Sequence, residues 1–244
     1  MSSQPMVLDN PQAYETGEEL DVMTRVLSFD RVRALELGCG SAWMIRLLAQ
    51  RFPESRFVAT EVDEIQHRKN IDGEALANLE FRLEGAQSIS EPDSSVDIVF
   101  MLKSLHHVPA ELMEPAMHEI ERVLKPGGLA YFSEPVYQGE FNALMSMIHD
   151  EKRVRERAFE AIRTLARREG MSLQGQVFLN VPGRYESWEH FESRFLKVTH
   201  TRLDIDAARY EHIKSAFLSH LGEDGAHFLK PHRIDVLRKR LSVN

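Results

Sequence analysis

The chain has 244 residues, 43% of them hydrophobic, with one cysteine and a formal net charge of −8. That length supports one large domain, 1–244, whose core needs no covalent staple, and the lone Cys39 excludes an internal disulfide or a zinc site of several thiolates, in keeping with a reducing cytoplasm. The acidic balance opposes a phosphate backbone, so no nucleic acid partner is expected; the start "MSSQPMVLDNPQ" lacks a secretory leader and no apolar run nears the roughly 20 residues of a membrane helix, so no membrane partner is expected either and a cytoplasmic protein is.

In chain order, segment 8–30 is expected to be helical. A strand then reads from Ala34 to Leu37 and ends in "GCGS", from which a Ser41-capped helix runs from Ala42 to Arg51 and stops at Pro53. Further short apolar runs predict strands at Arg56 to Thr60, Leu79 to Leu83, Val96 to Met101 and Leu129 to Ser133. Between the last two, Pro109 opens a helix that closes at "LKPGG", with Pro115 a possible kink. After Ser133 the rhythm changes. Phe141 to about Gly170 is helical, with Phe159, Ile162 and Leu165 on one stripe, and its Arg residues are laced with Glu as on a solvated, salt-bridged face. Pro182 and Gly183 mark an irregular connection, followed by a strand at Phe195 to Thr199, a helix at Ile205 to Leu221 and a final strand at Arg233 to Leu237. The alternation predicts an α/β fold: a doubly wound, mostly parallel sheet of seven strands, with a helical insertion at about 138–193 after the fifth.

The glycine turn is the first candidate site, because a helix start after a strand presents unpaired N–H groups to a ligand. "GCGSAW" puts Trp43 where a dinucleotide fingerprint needs its third glycine, and no G-x-x-x-x-G-K-[ST] loop is present. Glu61, about 20 residues on at the end of the second strand, is placed to accept hydrogen bonds from two ribose hydroxyls, with Asp63 as the rival on the same side. "LELGCG", "FVATEVDE", "SSVDIVFMLKSLHHVP" and "LKPGG", in that order over Tyr14 to Pro135, resemble the class I S-adenosylmethionine-dependent methyltransferases of small-molecule type. The resemblance implies a Rossmann-like fold, S-adenosylmethionine as cofactor and cofactor contacts at Tyr14, Glu36, Gly38, Cys39, Gly40, Glu61, Val62, Ala86, Gln87, Leu102 and Lys103. Gly85 stands where the family often has an adenine-binding acid, so Ala86 or Gln87 is expected to take over that contact.

Methyl transfer from a sulfonium needs positioning and exclusion of water; a base is needed only when the acceptor must lose a proton. His106 and His107 are the candidate bases, the alternative being that they cap the next helix. No metal is expected, since adjacent imidazoles without a nearby third ligand rarely converge on one ion. Lys103 either holds an anionic acceptor or lays its stem along the wall. Glu134 and Tyr137, at the end of the fifth strand, either meet the acceptor or brace the loop. The inserted Phe141, Met145, Met147, Ile148, Tyr185, Trp188 and Phe191 suit a lid over a small organic acceptor. The leading expectation is therefore small-molecule methyl transfer. A cyclase or lyase that consumes the cofactor and releases methylthioadenosine, and a non-catalytic cofactor-binding module, are the alternatives. The oligomeric state is not readable.

Overall fold

A computed structural model describes residues 5–197 and 205–241. The elements run β1 (Tyr14–Thr16), α1 (Glu19–Val26), β2 (Arg33–Leu37), α2 (Trp43–Arg51), β3 (Arg56–Glu61), α3 (Glu64–Ile71), β4 (Leu79–Leu83), β5 (Val96–Leu102), a 3-10 turn (Leu105–His107), α4 (Ala110–Val123), β6 (Leu124–Pro135), α5 (Gly139–Ser146), α6 (Lys152–Arg167), β7 (Met171–Tyr185), α7 (Trp188–Phe195), α8 (Ala207–Leu218), β8 (Leu221–Gly222) and β9 (Gly225–Lys239).

One sheet holds all the strands, in the order β4-β3-β2-β5-β6-β9-β7-β1, with β8 folded back on β9. Pairing is parallel from β4 through β6 and again between β1 and β7; β9 runs antiparallel to both its neighbours β6 and β7. β2 pairs with β3 on one side and β5 on the other, so the chain's winding reverses there and a crevice opens at the carboxyl ends of these strands. Helices pack on both faces. One face buries Met113, Met117 and Ile120 of α4 with Ile162 and Leu165 of α6; the other buries Val22 and Met23 of α1 with Ile45 and Leu48 of α2. A third cluster, built by Leu144, Tyr185, Trp188, Phe191, Ile213, Phe217 and Phe228, joins α5, α7 and α8 to the ends of β7 and β9.

The five strands expected from short apolar runs are present, and beyond Ser133 the helix expected at Ile205 to Leu221 is α8 and the strand at Arg233 to Leu237 lies within β9, but the sheet is larger than seven strands and the other expectations beyond Ser133 need correction. The helix expected to run unbroken from Phe141 is two, interrupted where the Asp150 carboxylate accepts from the Lys152 N–H (3.1 Å) and restarts the chain as α6. Pro182 and Gly183 lie inside the 15-residue strand β7, paired with Leu229 and Phe228. Proline is tolerated there because β1 pairs only with Phe178 to Asn180, leaving the next residues at an open edge where no ladder N–H is needed. Phe195 ends a helix instead of starting a strand, and Val198 and Thr199 lie outside the described residues. Segment 8–30 begins with strand β1 and is helical only from Glu19 to Val26. No side chain caps α2; Ala42 precedes it at φ +57°, and its N–H closes the turn on the Cys39 carbonyl (2.8 Å).

Candidate active site

The turn after β2 is held from three sides. Gly38 and Gly40 both take positive φ, +69° and +52°, which glycine adopts without steric cost. A methyl group on Gly38 would strike the Ser104 Cβ at 2.8 Å, whereas nothing lies within 4 Å of one on Gly40, so the open space of the crevice begins at Gly40. Glu61 pins this loop: one carboxylate oxygen accepts from the Gly40 N–H (2.8 Å) and the other from Val62 (2.8 Å) and Asp63 (3.1 Å). Asn70 donates to the Gly40 carbonyl (2.7 Å) from α3. Asp63 is occupied otherwise, as the N-cap of α3 accepting from Ile65 and Gln66, which separates the two rival acids. Val62, 68% exposed, and the exposed Leu83 opposite Glu61 leave an apolar rim beside the crevice.

Glu36 is buried beneath the turn, and burial, followed by the charges of Glu19 and Glu61, raises its carboxyl to about 8 against the opposing pull of Lys103. One Glu36 oxygen and one Glu19 oxygen are buried with no hydrogen-bond partner among the described residues. Such unpartnered buried polar atoms cost free energy unless a ligand meets them. Glu19, from α1, is a site residue the sequence did not announce; its other oxygen takes the Lys103 ammonium (2.5 Å). Lys103 itself sits at φ +55°, and its N–H donates to Ser133 (2.7 Å), fixing the bend after β5. Cys39 is buried, and burial with the charges of Glu36 and Glu61 pushes its thiol well up, the opposite of a nucleophile's setting. In the turn after β4, the Gln87 amide lies against Gly85, filling the place a side chain there would take, while Ala86 is buried in the core and Leu102 is buried at the end of β5.

Next to the crevice lies a cavity of about 500 Å³. Trp43, Lys103, His106 and His107 line one side, Phe141, Tyr185 and Phe195 another. His106 is buried in its wall. Its Nδ1 meets the Glu134 carboxylate at 2.5 Å, while Nε2 lies 3.9 Å from Glu151. The second Glu134 oxygen accepts from the Leu105 N–H (3.0 Å), so Glu134 faces the histidine and the backbone. Burial pulls the His106 imidazole down, but the Glu134 charge and hydrogen bond and the Glu151 charge outweigh it and hold it above its ordinary value. Glu151 is paired with Arg155 (2.6 Å), which in turn donates to Asn142 (2.8 Å); thus one arginine of the segment expected to be solvated turns inward. His106, His107 and Glu151 bring three ligand-type atoms within 4.8 Å of one another, a convergence the adjacent-histidine argument did not foresee, although Arg155 already neutralises the carboxylate.

Two expected residues lie elsewhere. Tyr14 is fixed at the far edge of the sheet, its ring edge-on to Phe178 at 5.5 Å and its hydroxyl donating to Asp9 (2.8 Å), because β1 adds to β7 instead of to the crevice strands. Tyr137 is not among the cavity-lining residues; it meets Asp150 and stands 5.9 Å beneath the Lys152 ammonium, bracing the start of α6. Glu19, Lys230, His232 and Arg194 join the cavity without a sequence signal of their own, since α1, α7 and β9 reach it only in the folded sheet.

Residues 35–132 match the family model described as "Methyltransferase domain". The chain is 23% identical over 184 residues to the "Uncharacterized methyltransferase YcgJ" of Bacillus subtilis, covering 72% of each chain, and 26% identical over 132 residues to the "Trans-aconitate 2-methyltransferase" of Variovorax paradoxus, covering 52% of this chain and 49% of that one. The crystal structure of YcgJ superposes over 91% of this chain and 98% of that chain with a TM-score of 0.63 and 17% identity. That of the [4+2]-cyclase SpnF superposes over 91% and 80% with a TM-score of 0.58 and 20% identity, a likeness of fold. The glycine turn, the acid ending β3 and the histidines after β5 all fall within the matched residues, so the part of the chain that resembles a methyltransferase domain is the part that builds the crevice.

Proposed function

We propose that this enzyme methylates a small organic molecule bound in the cavity beside the glycine turn, with His106 receiving the acceptor's proton. The observation that carries the reading is the position of that cavity: about 500 Å³, within the range of small-molecule sites, bordered by Lys103 at the bend after β5 and by a carboxylate-oriented histidine. S-adenosylmethionine, when bound, supplies an electrophilic methyl group. The orphaned oxygens of Glu36 and Glu19 fit its ammonium, and the backbone of Gly38, Cys39 and Gly40 fits the close passage of its aminoacyl part. Glu61 and Val62 would hold the ribose, and Gly85, Ala86 and Gln87, with the apolar rim at Leu83, the adenine. Leu102 and Lys103 would underlie the reacting end.

Glu134 keeps a proton on His106 Nδ1, leaving the Nε2 lone pair of the neutral ring to accept the acceptor's proton. His107, its ring centroid 4.1 Å from that of His106, is the nearest substitute. The α5 and α7 aromatics serve as the lid that excludes water, and 1–244 works as one domain with 138–193 divided between that lid and the sheet. The test is turnover of methyl-labelled cofactor with a panel of small acceptors, beside cofactor alone. Acceptor-dependent label transfer is expected. Methylthioadenosine formed without acceptor would overturn methyl transfer in favour of an intramolecular reaction.

A further inference from the structure

The charges lining the cavity do not cancel evenly. Lys103 is paired with Glu19 and Arg155 with Glu151. Burial holds His232 neutral, its ring lowered to about 4. Two cations on the lining are left, Lys230 from β9 and Arg194 from α7, and neither has a hydrogen-bonded or ion-paired carboxylate among the described residues. The one other lining acid, Glu18, is exposed at the rim and makes no ion pair there. Lys230 is half-buried and stands at the end of an aromatic wall: its ammonium lies 5.8 Å from the Phe141 ring centroid, and that ring stacks on Tyr185 at 5.9 Å and meets Phe195 edge-on at 5.7 Å. Burial, then the like charges of Lys103 and Arg194, lower the Lys230 ammonium, so the fold holds it at an electrostatic cost that a bound anion would relieve.

We propose that the acceptor is an organic anion, its carboxylate or phosphate seated at Lys230 and Arg194 and its carbon body laid against Phe141, Tyr185 and Phe195. This rests on the methyltransferase reading, since the cavity is taken as the acceptor's. An anionic head held at one end of a hydrophobic slot fixes the distance from that head to the attacked atom, which is how such a site would select among acceptors.

The experiment measures binding by calorimetry in the presence of S-adenosylhomocysteine, using matched pairs of small aromatic and aliphatic carboxylates with their amides, and phosphate monoesters with their alcohols. Anions are expected to bind at least tenfold more tightly than their neutral partners in the wild type, whichever head is preferred. In Lys230→Met, and in Arg194→Gln at an exposed position of α7 in case the strand variant fails to fold, that preference should fall at least threefold while S-adenosylhomocysteine affinity stays unchanged. Equal binding of anions and neutral partners, or no anion-selective binding anywhere in the panel, overturns the proposal. Loss of S-adenosylhomocysteine affinity in the variants also overturns it and assigns the two cations to the cofactor's own carboxylate. Failure of the wild type to bind S-adenosylhomocysteine at all strikes the methyltransferase reading instead.

Discussion

At the residue scale, the two glycines of the turn separate stability from binding. Gly38→Ala adds a left-handed alanine and a 2.8 Å collision with Ser104, so the domain should lose about 2–4 kcal/mol in urea unfolding. Gly40→Ala has free space around its new methyl and should cost only about 1–2 kcal/mol, yet that methyl enters the crevice and should weaken S-adenosylhomocysteine at least tenfold in calorimetry. Equal effects of the two on stability and on binding would show that the open side of the turn is not the ligand's. The His106–Glu134 pair sets the pH behaviour. His106 is raised, so its contribution to stability is complete below its ordinary value of 6.5 and is lost as pH rises through its higher folded value. Burial pushes Glu134 up, but His106 brings it below its ordinary 4.5, so the same interaction is lost at the acid end as pH falls through the lowered value. If His106 is the base proposed above, catalysis runs against the first trend, because the ring must be neutral to take a proton: with a proton-bearing acceptor, kcat/KM should climb with pH to a plateau above 6.5. His106→Gln should abolish that limb, and a profile that keeps it would move the base to His107.

At the element scale, the parallel half was legible, whereas of the antiparallel half only the Arg233 to Leu237 stretch of β9 was, for a physical reason. β2, β3, β5 and the core of β6 are buried on both faces and read as short apolar runs. β7 lies near the sheet's edge, where Gln174, Gly175, Gln176, Pro182 and Gly183 interrupt its alternation and a bulge falls between Leu173 and Gly175, so the turn signals outweighed the strand signal. The site divides the same way. The glycines, Glu61 and the histidines lie at strand ends and carry local motifs, while Glu19 reaches Lys103 across 84 residues and leaves no local trace. β9 conceals a further polar pair: Arg233 and Asp235 are buried, joined at 2.7 Å, with Gln176 of β7 donating to Asp235 (2.7 Å) and the guanidinium over Phe159 at 4.4 Å. Asp235→Ala would leave that guanidinium unpaired and should cost about 3–5 kcal/mol, whereas Arg233→Met with Asp235→Leu should cost much less. Additive losses in urea unfolding would mean the two do not act as a pair.

At the scale of the whole molecule, the third aromatic cluster differs from the two that sandwich the sheet, since it joins short helices and strand ends above the cavity. Within it Phe191 packs on Phe217 at 4.8 Å and on Phe195 at 4.9 Å, and the Trp188 indole donates to Tyr210 (3.0 Å). A cluster of short helices seated on strand ends, apart from the two cores that sandwich the sheet, can open without unfolding the rest, which is what a lid requires. Amides of α7 and α8 should therefore exchange with solvent faster than those of β2 and β5 in the free enzyme. S-adenosylhomocysteine alone, at about 100 times its Kd, should stabilise the domain by about 2.7 kcal/mol, yet slow exchange mainly around Gly38 to Gly40 and Glu61. Adding an acceptor should then slow α7 and α8, because only a molecule under the aromatic wall touches them. Trp188→Ala should speed exchange in α7 and α8 and raise the acceptor's KM, leaving cofactor affinity intact. Uniform exchange across the sheet and this cluster, unaltered by any acceptor, would make the cluster a fixed part of the core and remove the lid.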